Sequence, residues 1–146
     1  MLKLPSILLS LLLLANCKTP AKNSVIRPGY IPSELLGNFK DDYDESYNIS
    51  DSLWIQKPNA KYHLLKYDSK GNYFIAKNDD KNSSDAGMYS RIDITYFSNM
   101  EPWRWGFCLT AYKAKTFREA EATAAADRNN PKKGCSGFPF SRMKRE

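Results

Sequence analysis

The chain has 146 residues, with 22 Lys and Arg against 16 Asp and Glu and a single His. That length suits one domain, since domains cluster near ~100–150 residues. The net charge of +6 is not gathered into a nucleic-acid footprint, because its densest groups are only Lys132-Lys133 and Arg142-Met143-Lys144-Arg145. Nucleic acid is therefore not an expected partner. The charge fits a solvated surface, or contact with an acidic membrane surface or an anionic polymer. Nine Tyr, seven Phe and three Trp supply enough aromatic surface for a core and favour strands.

Residues 1–16 read as a leader. Lys3 is followed by Ile7 to Ala15, a run in which only Ser10 is polar. A membrane-crossing helix needs about 20 apolar residues, roughly twice this run, and the layout is that of a secretory signal peptide. Leu14-Ala15-Asn16-Cys17 resembles a bacterial lipobox. Asn16 stands where Gly, Ala or Ser is usual, a departure acceptable in the looser lipoboxes of spirochaetes. The resemblance implies cleavage between Asn16 and Cys17 and diacylation of the Cys17 thiol. Each buried methylene contributes ~0.8 kcal/mol, and two or three chains on one residue make a stable anchor. The expected location is the cell envelope, at the outer membrane, with the chain held to the bilayer through its N-terminal lipid. The alternative is an ordinary signal peptide with a fortuitous Cys.

Residues 17–33 then form the lipidated Cys and a flexible tether, rich in Pro and polar groups that cannot bury enough surface to offset ordering. The domain spans 34–146. Its first strand-like runs are Leu35–Phe39, Ser46–Ile49 and Leu53–Gln56, with Asp41 to Asp44 as a turn. Tyr62–Tyr67 and Tyr73–Ala76 flank Asp68-Ser69-Lys70-Gly71-Asn72, the chemistry of a hairpin. Tyr89–Phe97 alternates, with Ser90, Ile92, Ile94 and Tyr96 expected inward. Arg91 and Asp93 fall on the other face, as a solvated ion pair worth under ~1 kcal/mol.

Trp103, Trp105, Phe107, Leu109 and Ala111 share one face of a strong strand. That face is either deep core or the wall of an apolar pocket, so Trp103, Trp105 and Phe107 are candidate binding residues. Thr116-Phe117-Arg118-Glu119 fits a capping box, and the Ala-rich stretch after it predicts a helix over 116–126. Gly134 to Phe140 is a rigid aromatic return, in which Phe138, Pro139 and Phe140 form a candidate binding loop.

With Cys17 assigned to the anchor, Cys108 and Cys135 remain as an even pair in a disulfide-permissive compartment. Their bond is expected to contribute roughly 3–4 kcal/mol. It would fasten the Gly134–Phe140 segment across the Trp103 strand and bring the helix to one end of the sheet. Two separated thiols and His63 show no metal-ligand spacing, and no cofactor is expected.

Cys108 with Tyr112-Lys113-Ala114, the Ala-rich helix, Asp127, and Gly134-Cys135-Ser136-Gly137-Phe138-Pro139-Phe140-Ser141 are similar to the C-terminal pattern of small exported bacterial lipoproteins of uncharacterised function, spirochaetal ones among them. Gly37-Asn38-Phe39, Ile75 to Asp79 and Arg91-Ile92-Asp93 fit the same pattern. The resemblance implies no reaction. Gly37-Asn38-Phe39 followed by hairpins also resembles the opening of calycin-type barrels such as lipocalins, with Phe in place of their usual Trp. The expected fold is mainly β, a small antiparallel β-barrel or sandwich with one C-terminal α-helix.

Phosphate-loop, nucleophile-elbow and H-E-x-x-H motifs are absent from the sequence. The acidic groups Asp41-Asp42-Asp44-Glu45 and Asp79-Asp80 read as solvated loops. The functional expectation is a monomeric, non-enzymatic binding module of the envelope, taking a protein or a small apolar ligand. Two alternatives stand beside it: an envelope hydrolase using Asp41, Asp42 and Asp93, and an inhibitor acting through the Gly134–Phe140 loop.

Overall fold

The computed structural model describes residues 28–146. Cys17, the leader and most of the expected tether lie outside the described residues. Eight strands follow one another as an antiparallel meander: β1 Gly37–Asp41, β2 Ser46–Ile49, β3 Leu53–Gln56, β4 Ala60–Asp68, β5 Tyr73–Asn78, β6 Tyr89–Tyr96, β7 Trp105–Ala114 and β8 Ser141–Arg145. Each pairs with the next, and β8 pairs with β1, so the sheet closes into a barrel. Closure leaves neither β1 nor β8 as a free edge strand, although β8 covers β7 only over Trp105–Phe107. The fold is thus mainly β, as its hairpin chemistry predicts, and the barrel alternative is the one adopted.

An eight-stranded barrel has an interior just wide enough to be filled by side chains or to hold one small ligand. Here rings fill it. Trp54 meets Phe107, Trp105 and Phe74 edge-on with centroids 5.1, 6.0 and 6.0 Å away. Phe39 meets Trp105 at 5.1 Å and Tyr47 meets Phe107 at 5.6 Å. Edge-to-face pairs add about 0.5–1.5 kcal/mol each beyond burial. Ile49, Leu64, Ile92, Ile94 and Met143 close the gaps. A 3-10 turn at Ser33–Leu35 precedes β1, and its Leu35 is fully buried in the same cluster. Gly37, with φ +125°, follows this turn, and a Cβ there would strike the Arg145 guanidinium.

Several expectations are corrected. The 3-10 turn takes Leu35, so β1 begins at Gly37. The helix α1 spans only Phe117–Ala122 and packs against the outside of β5, β6 and β7 rather than at an end of the sheet. Its cap is as expected, with the Thr116 hydroxyl accepting from the Glu119 amide at 3.1 Å. Thr123 turns extended (φ −59°, ψ 137°) and ends the helix well short of Ala126. The chain then runs on as a strap over the barrel wall, fastened by the Cys108–Cys135 disulfide.

The strap changes the environment of β6. Arg91 and Asp93 face outward, but both are buried, at 6% and 0% exposure, so they are not the solvated pair expected. Asp41 is likewise buried rather than solvated. Its carboxylate accepts from the amides of Tyr43 and Glu45, both at 2.9 Å, and from the Tyr47 hydroxyl at 2.8 Å. Strand β8 is a further addition, since its sequence Ser-Arg-Met-Lys-Arg carries only Met143 as an inward anchor.

Candidate binding site

Two outer surfaces carry aromatic side chains that reach solvent. The first lies at the barrel mouth where β6 hands over to β7. Phe39, Trp105 and Met143 form the base of a groove of 580 Å³, and Phe97 and Pro102 extend its apolar wall. Glu34, Glu101, Arg104, Arg145 and Tyr96 supply its rim. Arg145 is held in place by donating to Leu36 O at 3.1 Å and Ser33 O at 3.4 Å, with its guanidinium 5.0 Å from the Phe39 ring centre. Arg104 lies 3.6 Å from Glu101, and both side chains are largely exposed. The Tyr96 ring is partly open, but burial of its hydroxyl, the hydrogen bond with Tyr67 and nearby Glu34 push its pKa well above the ordinary phenol value. The groove therefore offers an apolar base and a rim of both charge signs.

The second surface is the return segment. Cys135 and Phe138 exchange backbone hydrogen bonds at 3.0 and 2.9 Å. Ser136 and Gly137 between them both have positive φ, 51° and 92°, as a two-residue hairpin turn of the primed kind requires. Phe138 is 73% exposed at the end of this turn, whereas Phe140 is 1% exposed and packs with Cys108 and Ala126. Pro139 is exposed, and with Phe97, Met100, Pro131 and Phe140 it lines a smaller cleft of 320 Å³.

The three aromatic candidates of the β7 region separate. Trp105 and Phe107 enter the barrel, and Trp105 also floors the mouth groove. Trp103 precedes β7 and lies outside, with the Arg142 guanidinium 5.3 Å and the Lys144 ammonium 5.1 Å from its ring centre. Sequence alternation continued through Trp103 because nothing in it marks where the strand begins. The rim residues Tyr96, Arg104 and Arg145 were missed because only the closure of β8 against β1 and β7 brings them together.

The carboxylates of the hydrolase alternative do not converge. Asp41 is engaged as described above. Asp42 accepts from Arg142 through its guanidinium at 2.8 Å and its amide at 3.0 Å. Asp93 is held by Arg91 through two bonds of 3.1 Å, by Arg128 at 2.7 Å and by the Thr110 hydroxyl at 2.7 Å. Among the described residues, no group of three His, Cys, Asp or Glu side chains is arranged to hold a metal ion, and no helix is long and apolar enough to cross a membrane.

No protein-family model, no curated protein and no solved structure matches the chain.

Proposed function

We propose that the protein is a lipid-anchored, non-enzymatic binding module of a bacterial cell envelope, and that it takes a side chain or short segment of a partner protein in the mouth groove. The mouth groove carries this reading. Its apolar base lies over an interior already filled by rings, so an incoming group stops at the mouth rather than entering the barrel. A rim holding Glu34, Glu101, Arg104 and Arg145 suits the mixed charges of a polypeptide better than a plain acyl chain. The lipobox-like Leu14-Ala15-Asn16-Cys17 supports the anchor, and the Cys108–Cys135 disulfide suits an oxidising compartment.

The test has two arms on the full chain expressed in a bacterium. Intact mass of the membrane fraction should give a polypeptide beginning at acylated Cys17. A photo-reactive residue at Tyr96 should crosslink to a partner protein, and Arg104→Glu should abolish the adduct. An unmodified N-terminus contradicts the anchor. A crosslink that ignores Arg104→Glu contradicts the groove.

A further inference from the structure

The return segment is built as a protruding probe. Its tip is a large apolar side chain left in water, since Phe138 is 73% exposed. Its base is fixed three ways. Cys135 is bonded to Cys108 on the outer face of β7. Cys135 and Phe138 close the two-residue turn by paired hydrogen bonds, and the Gly137 amide donates to Lys133 O at 3.0 Å. Beneath it, the Phe140 amide donates to Pro131 O at 2.9 Å, and Asp127 N reaches Gly134 O at 3.0 Å. A Cβ on Gly134 would run into the Asp127 and Asn130 carbonyls, so this packing admits only glycine there. The strap below is pinned in turn by Arg128, which bonds Ile94 O at 2.7 Å and Asp93.

Such rigidity holds the strap that covers Asp93, and it also serves binding, because a loop already held in one conformation loses little freedom on association. Aromatic side chains, Phe among them, are enriched at the cores of protein interfaces. Lys132 and Lys133 directly precede the turn and are both exposed. The acid nearest in sequence, Asp127, turns its carboxylate to the Asn129 amide at 3.0 Å. The probe is therefore apolar at the tip and cationic at its shoulder.

We propose that the Phe138 hairpin inserts into a cleft of another protein that has an apolar subsite and carboxylates at its rim. Clefts of this composition occur where paired carboxylates carry out hydrolysis, so the hairpin blocks an acidic active-site cleft. The Phe138 tip lines neither the mouth groove nor the smaller cleft beside it, although Phe97 lines both, and the proposal does not depend on the groove's occupant or on the lipid anchor.

The experiment measures inhibition of purified secreted hydrolases by the disulfide-intact protein, comparing enzymes with paired-carboxylate clefts against enzymes with neutral or basic ones. Inhibition is expected only in the first set. Phe138→Ala should weaken it by at least about tenfold, with the thermal midpoint little changed because Phe138 is 73% exposed. Phe138→Trp should retain it. Lys132→Ala with Lys133→Ala should slow association severalfold and flatten its salt dependence. No inhibition in the acidic set, or inhibition unaffected by Phe138→Ala, overturns the proposal. Binding to anionic vesicles that Phe138→Ala abolishes, with no enzyme inhibited, overturns it in favour of a membrane contact.

Discussion

The two faces of strand β6 solve the same problem in opposite ways. Inward, Ile92 and Ile94 join a dry cluster of rings in which area and ring geometry do the stabilising. Outward, Arg91 and Asp93 are equally buried but charged, and they stand only because the strap returns Arg128 and the Ala126 amide to Asp93. The Arg91 guanidinium also stacks 3.8 Å from the Tyr73 ring centre and donates to Glu121 O at 2.8 Å. Among the described residues no buried side-chain polar atom lacks a partner. An apolar core tolerates removal of one member by leaving a cavity. An ionic one leaves an uncompensated charge.

That contrast can be broken most sharply from both sides at once. Trp54→Ala should cost about 3–5 kcal/mol through its cavity. Asp93→Ala should cost a similar ~3–5 kcal/mol by stranding Arg91 and Arg128. Because the two residues share no partner, the double variant should be additive within ~0.5 kcal/mol in urea unfolding. A large coupling term would mean that the two faces form one unit.

Next in size, Cys135→Ser should lower stability by about 2–4 kcal/mol. Amide exchange should accelerate in 123–140 while the interior strands keep their relative protection, since the disulfide fastens the strap and not the barrel.

The smallest effect concerns Tyr47. Burial first, then the hydrogen bond to Asp41, raises its phenol pKa far above the ordinary value. A group whose folded pKa lies above its unfolded value near ~10 contributes fully below that pH and loses its contribution as pH rises toward the folded value. Stability should therefore fall above about pH 10, and Tyr47→Phe, costing roughly 1–2 kcal/mol at neutral pH, should show a shallower alkaline decline. An identical decline in the variant would assign it to other groups.

The barrel was legible because period-two alternation is a local signal, plain in Ile92-Asp93-Ile94 and in Trp105-Gly106-Phe107. The strap was not, because what covers Asp93 comes from Arg128, 35 residues later. Helix propensity pointed through Ala126, yet the bond from the Ala126 amide to Asp93 and the extended turn at Thr123 prevail over it. Strand β8 lacks β-branched residues and exists through pairing with β1 and β7. For the candidate sites, Phe138 was visible as an aromatic in a Gly-bounded turn, while the groove rim is assembled from residues as far apart as Glu34 and Arg145.

The proposed recognition lies outside a filled barrel, and the three tryptophans report on this directly. Trp54 is sealed inside at 1% exposure, Trp105 floors the groove and Trp103 lies on the outer wall. Titrating the ¹⁵N-labelled protein with a medium-chain fatty acid, the probe an internal ligand site would accept, should leave the Trp54 indole resonance in place. A saturable, stoichiometric shift of that resonance would show a ligand entering the barrel and would contradict the account.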